Sequence, residues 1–377
     1  MKRIILVAGA RPNFMKVAPL RRELARFPGE FEPILVHTGQ HYDYRMSEVF
    51  FRDLELPPPD LFLGAGSGPP SEQTGRIMAG FEGALERFDP DLVVVTGDVN
   101  STLAAALATA QFRCRRRSGR PRLAHLESGL RSYDRLMPEE MNRVLTDHLA
   151  DLLFTTTPAD GRNLRREGIP AGRVRLVGNI LSDTLLSLRS RAAGPPAGLA
   201  GLKLRRRAYG LVTLHRPANV DDPKILAGLL ETLAALSSDL PLLFPCHPRT
   251  RSVIGRAGLE RIFRERPGFI LTEPLGYLDF LGLLLNSRLV LTDSGGLQAE
   301  SAILKVPCLT LRDRTEWLVT LRAGGNRLAG TEPEGIRRSF RQCLAGRRRP
   351  IRRPALWDGR VAGRVVRALR ADLEVNS

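Results

Sequence analysis

Two trains of short apolar runs, each run separated from the next by a segment of helical period, constrain this chain more than any single motif. In the first half RIILVAG, EPILVHTG, DLVVVTGD, RLAHLES, DLLFTTT and RVRLVGN are rich in Val, Ile and Leu and close mostly on Gly, Asp, Glu or Asn. A run that is apolar along its whole length reads as a parallel strand buried on both faces, because a strand with one wet face would alternate with polar residues. Between the runs, FMKVAPLRRELARF, STLAAALATAQF and PEEMNRVLTDHLA read as crossover helices. The pattern pauses over RAAGPPAGLAGLKLRRR (191–207) and resumes with GLVTLH, PLLFPCH, GFILTE, RLVLTD, VPCLTL and NRLAG. The expected fold class is therefore α/β, with two doubly wound domains facing a central cleft. The N-terminal domain is expected at 1–182, with the basic amphipathic segment at 359–377 packed back on it, and the C-terminal domain at 183–358. Strand order within either sheet is not readable from the sequence. Open α/β sheets bind ligands outside the carboxyl ends of their strands, so polar residues are judged by whether they stand there.

At 377 residues and 43% hydrophobic composition the chain can fill two cores. Its four cysteines, Cys114, Cys246, Cys308 and Cys343, are far apart and form no CxxC pair, which indicates neither a disulfide framework nor a zinc site and fits a reducing cytoplasm. The apolar run at the N-terminus is too short for a secretory signal, and no run approaches the roughly 20 residues that span a bilayer. A net charge of +17 admits an anionic partner. The arginines gather, however, in three separate places, FRCRRRSGRPR (112–122), LKLRRR (202–207) and AGRRRPIRR (345–353), and strands bearing RNA-stacking aromatics are absent. This predicts an Arg-biased solvated surface and no nucleic-acid partner; a nucleic-acid-binding protein is the remote alternative.

Several strand ends carry residues able to do chemistry. LVLTDSGGLQAES (289–301) has the form strand, tight turn, helix, so Ser294, Gly295 and Gly296 would aim backbone N–H groups at a phosphate, with Glu300 placed to accept from a ribose diol. The bland alternative is a Gly-rich turn with a surface Glu. VAGARPNFMKVAPL (7–20) is a second such turn that lacks the third glycine of the dinucleotide fingerprint; Arg11 and Lys16 could clamp a phosphate or be two surface cations. Asp98 closes VVVTGD, where it could cap a helix with Asn100, Ser101 or Thr102 or face the cleft. His215 and His247 end successive strands of the second half, as proton carriers, phosphate ligands or satisfied structural residues. No HExxH spacing and no acidic calcium loop occurs, so no metal site is expected.

HLESGLRSYDRLMPEEMNR (125–143) joins a strand end bearing His125 and Glu127 to a helix start bearing Glu139, Glu140 and Arg143 after Pro138. Glu127 and Glu139 could meet in one cleft, and acid–base chemistry at a carbon calls for two carboxylates on opposite faces with arginines beside them. For Glu140 the expected role is only favourable charge at a helix N-terminus, and Asp134 and Arg135 read as solvated turn.

GARPNFMKVAPL, TGQHYDYRMSEVFF, VTGDVNSTLAAALA, HLESGLRS with PEEMNR, VGNILSDTL, LVTLHRPANV, EPLGYLDFL, TDSGGLQAES and LRDRTEW with AGGNRL occur in that order along nearly the whole chain. In this the sequence resembles the non-hydrolysing UDP-N-acetylglucosamine 2-epimerases. The resemblance implies two Rossmann-like domains in a glycosyltransferase-B-like arrangement, a homodimer, no cofactor, no membrane insertion, and reversible epimerisation at C2 of a UDP-N-acetyl sugar. It implies Asp98, Glu127, Glu139 and His215 as catalytic residues, and Arg11, Lys16, Arg143, Phe280, Ser294, Gly295, Gly296 and Glu300 as substrate contacts. Two positions depart from the pattern: Trp317-Leu318 stands where many bacterial members have Arg-Pro, and Leu275 where they have Gln. A hydrolysing relative, or an epimerase for a related UDP-acetamido sugar, would share most of these residues.

Overall fold

The computed structural model describes residues 1–40, 51–116, 118–192, 205–346 and 350–375, with the side chain of Arg11 outside the description. The chain divides into two compact units, one of residues 1–186 and 355–377 and one of residues 187–354.

In the first unit seven parallel strands form one sheet: β1 (Lys2–Ala8), β2 (Phe31–His37), β3 (Leu61–Phe62), β4 (Leu92–Thr96), β5 (Arg122–Ser128), β6 (Leu152–Thr155) and β7 (Val174–Leu176), in the order β3-β2-β1-β4-β5-β6-β7. Ile4 pairs with Pro33 on one side and Leu92 on the other, so β1 and β4 meet at the centre, where the winding reverses. Ile5, Val7, Val93, Val95, Leu123 and Leu153 are buried in one cluster with Phe81 and Leu85 of the helix Pro70–Phe88. Among the described residues only β3 escaped the sequence reading; its two residues follow the proline-rich ELPPPD and show no period.

The second unit repeats the plan with β8 (Gly210–Thr213), β9 (Leu242–Pro245), β10 (Phe269–Thr272), β11 (Leu289–Thr292), β12 (Cys308–Thr310) and β13 (Asn326–Leu328), ordered β10-β9-β8-β11-β12-β13 and parallel throughout. Val212, Leu233, Phe244, Leu291, Leu309 and Phe340 share its core. Both units are the doubly wound α/β type expected, and in both the order reverses beside the first strand, which creates a crevice at the strand carboxyl ends.

The chain's last segment belongs to the first unit because specific bonds hold it there. The Trp357 ring is fully buried and its Nε1 donates to Thr156 O at 3.1 Å. The Asp183 carboxylate accepts from Val361 N at 3.1 Å and Ala362 N at 2.9 Å, which starts the helix Val361–Val375 on an anion. That helix packs on the helix Arg11–Leu24, where Arg370 lies over the Phe27 ring at 4.6 Å. Residues 183–186 and 355–358 therefore fall in the first unit, rather than beyond boundaries at 182 and 359. Pro19 inside the helix Arg11–Leu24 cannot donate to Met15 O, and the Thr184 hydroxyl supplies that bond at 2.5 Å.

The arginines of 112–122 act largely as staples. Arg116 binds the Asp89 carboxylate, Arg120 makes a fork to Asp151 at 2.8 and 2.9 Å, and Arg122 forks onto Asp372 at 2.7 and 3.0 Å. Arg117, residues 202–204 of the second cluster and 347–349 of the third lie outside the described residues.

His37 ends β2 fully buried among Phe14, Phe51 and Phe62, and its Nδ1 accepts from Gly39 N at 2.9 Å. Burial lowers its pKa to about 4. A depressed histidine contributes stability that is present above its unfolded value of about 6.5 and is lost as pH falls through about 4. Relative to His37→Asn, which keeps an acceptor for Gly39 but does not titrate, the wild type should lose about 3 kcal/mol of unfolding free energy between pH 6.5 and 4. Urea titrations of both proteins across that range check it, and parallel curves would remove His37 from the account.

Candidate active site

In the first unit the expected residues gather at the carboxyl ends of β1, β4 and β5. The turn after β1 is tied down by Asn13, whose Oδ1 accepts from Ala10 N at 3.0 Å while its Nδ2 donates to Thr96 O at 2.9 Å. Three residues on, Lys16 points its Nζ into an ion pair with Glu127 Oε2, both side chains almost wholly buried. Glu127 sits in a bulge: the pairing of β5 with β6 slips between Leu126 and Ser128, and Glu127 takes φ = 67°. A non-glycine residue in that left-handed region is strained, and such strain collects at working sites. Gly97, with φ = 69°, lies against the pair; a Cβ there would come within 2.7 Å of Lys16 Nζ and carry left-handed strain, so a side chain would push the ammonium aside and glycine is favoured.

The next residue, Asp98, is about one-third exposed, and its Oδ2 accepts from Arg143 Nη2 at 2.6 Å. Arg143 is buried and its other arm donates to Glu140 Oε2 at 2.6 Å, while Asn142 Nδ2 donates to Asp98 O at 2.9 Å. The fold thus makes two ion pairs, Lys16–Glu127 and Arg143–Asp98, around the dipeptide 97–98. Lys16 meets a carboxylate in this arrangement, where the sequence suggested a phosphate clamp. Glu139 is half-buried in the first turn of the helix Pro138–Leu149, and Arg11 begins its helix with its side chain outside the description.

Glu140 corrects its expected role. It is buried, and its two oxygens accept from Ser132 N, Ser132 Oγ and Tyr133 N at 2.8 to 3.0 Å as well as from Arg143. It holds the bend 132–133 and aims Arg143, whereas a dipole charge would be wet. Asn100, Ser101 and Thr102 do not cap the helix Asn100–Gln111 with their side chains: Thr102 Oγ1 donates to Thr96 O, Ser101 bonds Gln40 and Thr38, and Asn100 bonds Gln73.

In the second unit Asp293 directs the corresponding strand ends. It is fully buried, and its carboxylate accepts from His215 N at 3.0 Å, Arg216 N at 3.0 Å and Asn219 Nδ2 at 3.2 Å, with His215 Nδ1 at 3.3 Å. Asn219 continues to Leu311 O at 3.0 Å. His215 is therefore held at its backbone and at Nδ1, with its side chain 38% exposed and its ring 5.9 Å centre to centre from His247. His247 itself caps the helix Pro248–Arg256 by accepting from Arg249 N.

Ser294 caps the helix Gly295–Leu304, its Oγ accepting from Leu297 N. The two glycines differ: the Cβ position of Gly295 is filled by the Glu316 carboxylate, with the buried Trp317 Nε1 3.3 Å away, while Gly296 meets only Ser294 Oγ at 3.8 Å and is exposed. Glu316 is balanced by Arg312 at 3.1 Å and approached by Arg216 at 4.0 Å. Phe280 lies half-buried on the helix Tyr277–Asn286 and Glu300 half-buried on the helix that follows Ser294.

Sequence reasoning did not find the organising role of Asp293, nor Glu316, nor the buried pair His125–Asp147. His125 donates from Nε2 to Gly97 O at 2.8 Å, and its Nδ1 meets Asp147 Oδ1 at 2.7 Å. Burial alone would raise the Asp147 carboxyl, but contacts with His125, Arg131 and Gly129 N outweigh it and hold the group below the usual range. The available signal was an acid in the last turns of a helix, where the dipole disfavours it unless it has partners.

The family model for UDP-N-acetylglucosamine 2-epimerase matches residues 22–370. A UDP-N-acetylglucosamine 2-epimerase of Methanococcus maripaludis is 40% identical over 352 residues, covering 92% of this chain and 93% of that protein. A UDP-2,3-diacetamido-2,3-dideoxy-D-glucuronate 2-epimerase of Pseudomonas aeruginosa is 39% identical over 345 residues, covering 91% and 92%. The crystal structure of Methanocaldococcus jannaschii UDP-GlcNAc 2-epimerase in complex with UDP-GlcNAc and UDP superposes with a TM-score of 0.87 at 38% identity, over 98% of this chain and all of that one. Sequence match and fold agree over nearly the full length, and the chain belongs to the UDP-N-acetylglucosamine 2-epimerase family.

Proposed function

We propose that the protein interconverts UDP-N-acetylglucosamine and UDP-N-acetylmannosamine by elimination and re-addition of UDP. A base takes the C2 proton, the C1–O bond to UDP breaks, and a C1=C2 double bond forms, giving 2-acetamidoglucal and UDP. A proton delivered to the other face of C2, with UDP returning to C1, yields the epimer. Every step is redox-neutral. The observation that carries this reading is the pair of carboxylates at the carboxyl ends of β4 and β5, each opposed by a buried cation: Asp98 by Arg143 and Glu127 by Lys16. Abstracting a weakly acidic carbon-bound proton calls for preorganised acid–base groups, and a charge so placed works in a poorly hydrated setting. Asp98, Glu127 and Glu139 are the acid–base carboxylates of this proposal, with His215 as a further proton carrier. Ser294, the open face at Gly296 and Glu300 serve the nucleotide, and departing diphosphate gains from N–H groups at a helix start.

Incubation with UDP-N-acetylglucosamine in deuterated water tests it: deuterium should appear at C2 of a mixture of both epimers. Free N-acetylmannosamine would instead assign a hydrolysing 2-epimerase, and no exchange would sink both. The P. aeruginosa relative favours a second reading, a diacetamido uronic-acid UDP-sugar as substrate. Faster exchange with that sugar in the same assay would select it.

A further inference from the structure

The buried ionisable groups around β5 include three that the proposed chemistry does not use. Asp147, His125 and Arg131 are each 3% exposed or less. Arg131 donates from Nε and Nη2 to both oxygens of Glu167, at 2.8 and 2.6 Å, and its Nη1 lies 2.8 Å from Asp147 Oδ2. Asp147 then bridges the two flanks of Glu127: Oδ1 takes the His125 ring two residues before it, and Oδ2 accepts from Gly129 N two residues after it, at 3.0 Å. The other ring nitrogen of His125 holds Gly97 O, and Gly97 N donates back to Leu126 O at 3.0 Å. Glu127 is thus enclosed on each side, and its own backbone is strained. Strained backbone persists only where its surroundings over-determine it.

We propose that Asp147 and His125 are positioning residues for Glu127: together they clamp the bulge at Leu126–Gly129 and the Gly97 carbonyl, and so keep the Glu127 carboxylate on Lys16. This rests on the reading of Glu127 as an acid–base residue. Leu at 147 keeps nearly the same shape and offers no polar atom, so the ties to the His125 ring and to Gly129 N are both lost. His125→Gln keeps a donor for Gly97 O and loses the tie to Asp147.

The test compares wild type, Asp147→Leu and His125→Gln in three measurements: C2 deuterium exchange of UDP-N-acetylglucosamine, the Kd for UDP, and amide hydrogen exchange of the peptides carrying 97 and 126–129. In each variant kcat should fall about 100-fold, the cost of a misplaced group. KM and the UDP Kd should stay within about twofold, and amide exchange should quicken locally around the bulge. A variant that fails to fold leaves the other to decide. Full kcat in the folded variants would overturn the proposal, as would a loss of kcat matched by an equal loss of UDP-binding protein. Wild type without C2 exchange would count against the proposed reaction, whereas unchanged amide exchange at 126–129 would count against the clamp.

Discussion

Glu127→Gln should cut C2 deuterium exchange by about 10³-fold or more, within the range that a lost general base costs, while leaving the UDP Kd within a few-fold of wild type. Gln is nearly isosteric and its oxygen can still accept from Lys16, so the bulge and the buried position are retained. What disappears is the capacity to take a proton from carbon. The Lys16 ammonium is left buried without a counter-charge, an arrangement that is costly, so melting should be recorded beside kinetics. Weak UDP binding in a folded Glu127→Gln protein would give Glu127 a structural role. Glu127 and Asp98 each already face a cation, so the same substitution at Asp98, Asp98→Asn, serves as the natural companion measurement.

Asp293→Ala should destabilise the second unit by about 3 kcal/mol or more, because His215 N, Arg216 N and Asn219 Nδ2 lose a fully buried acceptor together. The same change frees the loop that presents His215, so exchange activity should fall even at temperatures where the variant is folded. Urea unfolding monitored at Trp317, which belongs to this unit, reads the stability directly. A loss below about 1 kcal/mol would show that the loop is held by its other contacts, such as Asn219 to Leu311 O.

Much of the fold was legible because burial on both faces writes itself into uninterrupted runs of Val, Ile and Leu. All twelve quoted runs are strands, and among the described residues β3, with two residues after prolines, is the strand without such a run. Strand order was not legible: crossover lengths are compatible with several windings, and the reversal beside β1 and β8 is a property of sheet pairing. That reversal opens, within each unit, the crevice beside which Asp98 after β4 and His215 after β8 stand.

The candidate residues were nameable from motifs, but their partners were not. Lys16 and Glu127 are separated by 111 positions and Asp98 and Arg143 by 45, and no local pattern encodes such pairs. Glu140 shows the limit most plainly: a glutamate in a helix's first turn is ordinarily wet, and only the return of residues 132–133 across it turns the same side chain into a buried acceptor for Arg143. The sequence by itself determined two doubly wound units, the strand ends that carry chemistry and the family. Tertiary structure alone decided which charges face each other, since the energy of an ion pair depends on distance through space and on burial, and neither follows from separation along the chain.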